Sequence, residues 1–212
     1  MTFDTFLIAI SKIENLKLPG QGSQFKMSPP YRQELIESQK EKIKDARKAA
    51  VMSLFYPNDK GETMLVLILR KTYKGVHSAQ VGFPGGKLEL NETLEKAAVR
   101  ETFEEVGVEE EAVAILKPLT PIYIPPSNFY VHPFIGIIKH TPNFIKQDDE
   151  VEAIIEVKLS HFLDESIITT KSVSTTYNIN VTVPAYKLNG HIVWGATAMM
   201  LSEVKDLLKQ VL

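Results

Sequence analysis

The sequence of 212 residues contains no cysteine, which excludes disulfide bonds, thiol nucleophiles and thiolate metal sites. Neither sign of charge dominates, since 24 lysines and arginines stand against 26 aspartates and glutamates. The chain therefore lacks the basic surplus typical of nucleic-acid binding. No apolar run approaches the length of a membrane span. These absences predict a cytoplasmic protein whose partners include neither nucleic acid nor a membrane.

The first residues also lack the basic leader of a secretory signal, because Asp4 interrupts the apolar positions and Lys12 and Glu14 follow soon after. An apolar content of 44% in a chain of this length is enough for one good core. We therefore expect one domain at residues 49–212, with a helical extension at residues 1–48 packing on it.

Within the extension, Phe3, Phe6, Leu7, Ile10 and Ile13 recur at helical spacing, which predicts an amphipathic helix over residues 3–16. Prolines and glycines predict a loop over residues 17–30. Residues 31–48 carry charge on most sides and are expected to be partly helical and exposed.

From residue 49 the pattern changes to short apolar runs typical of strands. The first two, residues 50–56 and 63–69, flank a turn-rich segment and predict a hairpin. A loop over residues 70–84 follows. The remaining expected elements are helices at 93–106 and 196–211 and strands at 113–124, 129–139, 151–159, 168–174 and 177–188. This order predicts an α+β fold with a mixed sheet flanked by helices.

The first of those helices carries an unusual set of carboxylates. Glu101, Glu104 and Glu105 are three or four residues apart, so they share one face and repel one another by roughly 0.2–0.5 kcal/mol per pair. A hard divalent cation such as Mg²⁺ or Mn²⁺ would relieve that repulsion. The alternative is a solvated acidic face partly neutralised by Arg100.

The spacing around this helix is more specific than the carboxylates alone. Gly85 and Gly86 precede the helix and Gly107 follows it, as expected of a loop-helix-loop with tight turns and a glycine cap. Glu92 and Arg100 flank the helix start and are expected to pair. The stretch from Gly86 to Val108 resembles the motif of the Nudix hydrolases, and residues 49–211 are similar to their coenzyme A diphosphatase branch.

That resemblance implies an α/β/α sandwich and a metal-dependent hydrolysis in which water attacks a diphosphate. It implies metal ligation by Glu104, Glu105 and the Gly86 carbonyl, with Glu101 as a ligand or general base. The pair Glu92 and Arg100 would be structural. Thr102 replaces the aliphatic residue usual in the family, and a buried threonine is expected to bond back to its own helix.

A further carboxylate beyond the motif, Glu150, is a candidate ligand or base, with an exposed acidic turn as the alternative reading of residues 148–150. Trp194 is a candidate for stacking on adenine, although core packing is the commoner role of such an aromatic residue. The substrate-binding residues implied by the branch's upstream signature, which this chain matches incompletely, are Arg70, Lys71, Lys74, His77 and Phe83.

Basic groups at these positions would suit coenzyme A, which carries a 3′-phosphate in addition to its diphosphate. A solvated loop is the alternative for residues 70–74. The expected reaction splits coenzyme A or acyl-CoA into 4′-phosphopantetheine and adenosine 3′,5′-bisphosphate, with Mg²⁺ or Mn²⁺ as cofactor. Another nucleoside diphosphate derivative such as ADP-ribose, or a non-catalytic nucleotide-binding module, are the alternatives.

Overall fold

The computed structural model describes residues 1–72, 80–174 and 180–212. Its centre is the predicted hairpin, formed by β1 (Arg47–Pro57) and β2 (Thr63–Arg70). The Asn58 side chain holds the turn, because its Oδ1 accepts hydrogen bonds from the backbone N–H groups of Lys60 and Glu62 at 3.0 and 2.9 Å. The hairpin prediction is confirmed.

The main sheet has eight strands and is mixed, since β1 runs antiparallel to β2 and parallel to β7. Its principal order is β3-β2-β1-β7-β5, while β4 pairs with β1, β6 with β7 and β8 with β2. The six further strands are β3 (Val81–Gly82), β4 (Gly85–Lys87), β5 (Ala114–Pro118), β6 (Ile122–Ile124), β7 (Phe129–Ile137) and β8 (Val151–Lys158). The single strand expected over 113–124 is therefore wrong: it is two strands, separated at a segment containing Pro121, which has no N–H to donate.

A second, three-stranded sheet was not predicted. It has the order β11-β10-β9 and contains β9 (Ile168–Val173), β10 (Val181–Leu188) and β11 (His191–Trp194). Asn189 and Gly190 join β10 to β11 with φ values of 47° and 85°, as a tight hairpin turn requires. That Asn-Gly pair was the sequence signal for β11. The start of the strand expected at residue 177 falls outside the described residues.

Seven α-helices lie in the described part of the chain: α1 (Phe3–Ile10), α2 (Gln21–Gln24), α3 (Arg32–Ser38), α4 (Lys40–Lys44), α5 (Leu94–Val106), α6 (Leu159–Leu163) and α7 (Gly195–Leu208). Short 3-10 turns cover Ser11–Asn15, Phe25–Met27, Glu110–Ala112, Pro125–Ser127 and Glu165–Ile167. The loop expected over residues 17–30 thus contains two helical turns. Neither α6 nor the turn after it was predicted. No helix in the described ranges has both the length and the apolar character needed to cross a membrane.

Helices cover both faces of the main sheet, as the burial of β1 shows. Val51 and Phe55 join one apolar cluster, whereas the alternate residues Met52 and Leu54 join another. Because neighbouring side chains of a strand point to opposite faces, the two clusters lie on opposite sides of the sheet. The first cluster includes residues of α1 and α7, and the second includes residues of α5. The expected α+β class and α/β/α layering are confirmed.

The N-terminal extension contributes to the first of these cores. The Phe6 ring lies 5.1 Å from the Phe55 ring, measured between centroids. Farther along, the buried Glu203 carboxylate of α7 accepts hydrogen bonds from the Gly20 N–H at 3.1 Å and from Gln24 Nε2 at 3.0 Å. Phe6 thus packs on a strand of the main sheet and residues 20–24 bond to α7, whereas the extension as a unit of residues 1–48 stays a prediction.

Candidate active site

The acidic helix α5 begins and ends at local signals. The Thr93 hydroxyl accepts a hydrogen bond from the Lys96 N–H at 3.3 Å, which caps the first turn. Gly107 ends the helix in the left-handed conformation, with φ of 74° and an N–H bond to the Phe103 carbonyl. Inside the helix, the buried Thr102 hydroxyl donates to the Ala98 carbonyl at 2.7 Å, which confirms the expected back-bond. The helix ends at the predicted residue and begins one residue later than predicted, because Thr93 is its cap.

Arg100 connects this helix to the preceding loop and strand. Its Nε and Nη2 donate to the two carboxylate oxygens of Glu92 at 2.8 and 3.1 Å. Its Nη1 donates to Glu101 and to Glu104, each at 3.0 Å, and Nη2 also reaches the Lys87 carbonyl at 3.2 Å. The hydrogen bonds from Arg100 hold the pKa of Glu92 below its usual value. One guanidinium thus offsets the repulsion along the helix face.

Glu105 lies in a separate, more deeply buried environment, with 1% of its surface exposed. Its Oε1 accepts from Arg70 Nη1 at 2.9 Å and its Oε2 accepts from the Gly85 N–H at 2.8 Å. Arg70 Nη2 also donates to the Gly85 carbonyl at 2.7 Å. Burial raises the pKa of Glu105 to about 7, although the charge of Arg70 opposes the rise. Arg70, expected to bind substrate, has this carboxylate and this backbone as its direct partners.

The two glycines before the helix allow the backbone to approach these groups. Gly85 has φ of 147°, and a Cβ there would overlap the backbone of Ala50 and Val51. A Cβ at Gly86 would overlap the carboxylate of Glu101. Gly86 therefore brings β4 into contact with the helix face at a distance that no other residue permits.

The same carboxylates are the candidate donors for a divalent cation. Across the described ranges, no three His, Asp or Glu side chains are gathered into a metal-binding cluster. Instead, Arg100 pairs with Glu101 and Glu104, while Arg70 pairs with Glu105. The donor chemistry nevertheless fits Mg²⁺ or Mn²⁺, because every group is a hard oxygen donor and Gly86 lies directly against Glu101. The Glu104 side chain is half exposed and free to exchange its partner.

Glu150 lies near these carboxylates, since its charge contributes to raising the pKa values of Glu101 and Glu105. It is exposed and follows a turn in which Gln147 Oε1 accepts from the Glu150 N–H at 2.8 Å. The Glu150 carbonyl accepts from the Lys71 N–H at 2.9 Å, so this turn is tied to the end of β2. Two other expected substrate-binding residues, Lys74 and His77, lie outside the described residues.

A cavity of about 640 Å³ opens beside the motif. Gly85, Gly86, Lys87 and Arg70 line one part of it, and Phe83 also contributes to its wall while being 2% exposed. Trp194 lines the cavity as well, so it combines packing with access to a ligand, and Lys171 Nζ lies 5.4 Å from its ring centroid.

Sequence reasoning missed the contribution of the extension to this cavity. Tyr31 and Arg32 line it, and Arg32 is 7% exposed. A single arginine at the start of a charged segment gave no signal of burial. Among the described lining residues, the charged side chains are Arg32, Arg70 and Lys87, with no carboxylate. The cavity therefore suits an anionic ligand with apolar or aromatic parts.

Comparison with known proteins gives consistent matches. The profile of the NUDIX domain matches residues 46–171. Over 183 residues the chain is 28% identical to Nudix hydrolase 3 of Caenorhabditis elegans, covering 78% of this chain and 76% of that protein. It is 27% identical over 135 residues to the peroxisomal coenzyme A diphosphatase ndx-8 of the same organism, covering 63% of this chain and 58% of that protein. A Nudix hydrolase structure from M. Smegmatis, RenU, has a similar fold, with a TM-score of 0.54 at 14% identity over 79% of this chain and 88% of that one.

Proposed function

Because the chain belongs to the Nudix family and is a diphosphatase of that family, we propose that it hydrolyses the diphosphate bond of coenzyme A or acyl-CoA. The products would be 4′-phosphopantetheine and adenosine 3′,5′-bisphosphate. The observation that carries this proposal is the cavity beside Gly86, whose wall combines two cationic side chains outside any described salt bridge, Arg32 and Lys87, with aromatic residues and no carboxylate among its described lining residues. Similarity to a relative described as a coenzyme A diphosphatase supports it.

The proposed cofactor is Mg²⁺ or Mn²⁺, held by Glu104, Glu105 and the Gly86 carbonyl, with Glu101 as a further ligand or as the general base. When bound, the cation supplies Lewis acidity at the diphosphate and lowers the pKa of water. A ligand role for Glu105 requires one of its oxygens to exchange Arg70 or the Gly85 N–H for the cation.

The chain's own residues orient these groups. Arg100 fixes the carboxylates of Glu101 and Glu104 from one side, and Glu92 fixes Arg100. Burial raises the pKa of Glu101 in the metal-free protein, and its carboxylate lies directly against Gly86, beside the proposed cation. We therefore propose Glu101 as the general base acting on the attacking water, with the exposed Glu150 as the second candidate.

The test is product analysis with purified protein, Mg²⁺ or Mn²⁺, and separate incubations with coenzyme A, ADP-ribose and dinucleoside polyphosphates. The expected result is 4′-phosphopantetheine and adenosine 3′,5′-bisphosphate from coenzyme A at the highest kcat/KM. Higher kcat/KM with ADP-ribose would reject the coenzyme A assignment and favour the alternative substrate, leaving the diphosphatase class intact.

The proposed partner is thus a small nucleotide-derived substrate, and the proposed compartment is the cytoplasm. The compartment rests on composition, namely the absence of cysteine. Fractionation of cells that produce the full chain tests it, and recovery in an organelle fraction would contradict it.

A further inference from the structure

The cavity wall contains a buried cation without an anionic partner. Arg32 of α3 is 7% exposed and lines the cavity. Its Nη2 donates to the Tyr123 carbonyl at 2.5 Å, whereas its Nε has no hydrogen-bond partner. No described carboxylate forms a salt bridge with it. Arg70 and Arg100 differ in this respect, because each is paired with at least one glutamate.

This arrangement is costly for the folded protein by itself. A guanidinium is charged at neutral pH, and although burial lowers the pKa of Arg32 to about 10, the group stays protonated there. Burying a charge without a counterion is strongly unfavourable unless a partner compensates it. The planar guanidinium matches the oxygens of a phosphate, which it can bind with two parallel N–H bonds.

Arg32 comes from a different part of the fold than the groups proposed to hold the diphosphate. Its hydrogen bond goes to Tyr123, in β6, and none of its described contacts involves Gly86 or the glutamates of α5. The second unpaired cation of the wall, Lys87, belongs to the motif strand β4. Since Arg32 and Gly86 line the same cavity without contacting each other, one ligand with its diphosphate at Gly86 can present a second group to Arg32.

We propose that Arg32 is a specificity-determining residue that binds a phosphate monoester of the substrate, separate from the diphosphate that is cleaved. The inference rests on the proposed function, and it assigns the N-terminal extension a part in substrate selection. The 3′-phosphate of coenzyme A has the required chemistry.

The test compares kcat/KM for coenzyme A and 3′-dephospho-coenzyme A in the wild type, Arg32→Gln and Arg32→Lys. Since a hydrogen bond to a charged group contributes about 1.5–3 kcal/mol, the wild type should prefer coenzyme A by about 10-fold or more. Arg32→Gln should lose that preference mainly through a higher KM for coenzyme A, and Arg32→Lys should retain part of it. The ratio of kcat/KM values for the two substrates is measured on one preparation of each variant. A variant with a smaller folded fraction therefore gives the same ratio.

The matched control is Lys42→Gln, which removes an exposed cation from the same extension outside the cavity wall. It should keep the wild-type preference. Equal losses on both substrates in Arg32→Gln, or no preference in the wild type, would overturn the role of Arg32 while the proposed function stands.

If neither coenzyme A nor 3′-dephospho-coenzyme A is hydrolysed, the proposed function fails. The phosphate site at Arg32 is then tested separately by calorimetry, which compares the binding of adenosine 3′,5′-bisphosphate with that of AMP. Tighter binding of the bisphosphate in the wild type, reduced to the level of AMP in Arg32→Gln, supports the phosphate site. Equal binding of the two nucleotides by the wild type overturns it.

Discussion

Replacement of Glu203 by glutamine should destabilise the protein although the two side chains have nearly the same shape. The carboxylate is fully buried and receives donors on both oxygens. Oε1 accepts from the Gly20 N–H, the Thr120 N–H and the Thr120 hydroxyl, at 3.1, 3.3 and 2.6 Å. Oε2 accepts from Gln24 Nε2 at 3.0 Å and from the Thr120 N–H at 3.3 Å.

An amide at this position has one acceptor oxygen, so whichever way it is turned, its NH₂ group faces donors. The less costly orientation places the NH₂ group against Gln24. The protein then loses the hydrogen bond from Gln24 Nε2 and the part of the Thr120 N–H bond that Oε2 shares with Oε1. At about 1.5–3 kcal/mol for a bond to a charged group, we expect a loss of about 3 kcal/mol in the free energy of unfolding. For a chain of this size that corresponds to a fall of roughly 6–12 °C in Tm.

Urea denaturation followed by circular dichroism measures this loss, with Glu152→Gln as the control because Glu152 is exposed. Proteolysis of the folded protein gives a second readout, since Glu203 joins the segment at residues 20–24 to α7 and that segment should become cleavable first. A loss below about 1 kcal/mol, equal to that of the control, would refute the reasoning that the carboxylate form is required.

Three other predictions follow from the site. Gly86→Ala should reduce turnover by about 100-fold, because the added Cβ displaces the carboxylate of Glu101. The control is Gly22→Ala, which should leave turnover unchanged because a Cβ there has open space. Glu104→Gln should reduce turnover by about 100-fold or more at an unchanged Tm, whereas Glu95→Gln on the exposed first turn of the same helix should have no effect. Burial raises the pKa of Glu105 from 4.5 to about 7, so between these pH values the folded state binds more protons than the unfolded state. In EDTA, the free energy of unfolding of the wild type should therefore fall as the pH rises from 4.5 to about 7, and Glu105→Gln should lack this contribution. Urea denaturation across that range measures the difference between wild type and variant, and a wild-type stability that rises relative to the variant would contradict the prediction.

The predictable parts of this fold are those determined by neighbouring residues. Helix α5 begins at a side-chain cap on Thr93 and ends at a left-handed glycine, so its bounds follow from local sequence. The Arg100–Glu92 pair spans eight residues within one motif and was expected for the same reason. The hairpin of β1 and β2 likewise depends on a turn between two apolar runs.

The missed parts depend on contacts between distant segments. The pairing of Arg70 with Glu105 joins residues 35 positions apart, and the backbone of Gly85 in β4 bonds to both side chains. The burial of Arg32 depends on β6, 91 residues away, whose carbonyl accepts its hydrogen bond. A helix rich in charged residues is expected to be exposed when read alone. Neither local spacing nor composition distinguishes Arg32 from the exposed cations of the same segment.

Three arginines of the candidate site, of which Arg32 and Arg70 line the cavity, show why substrate choice is harder to read than reaction type. Arg100 and Arg70 are neutralised by glutamates of the motif, so their charges serve mainly to orient carboxylates and add little net attraction for an anion. Arg32 has no such partner, and its charge acts on whatever enters the cavity. The residues proposed to perform the reaction are therefore concentrated mainly in one short stretch of sequence, where their spacing reveals them. The residue proposed to recognise the rest of the substrate, Arg32, has an environment that is created only when the N-terminal extension packs against the sheet.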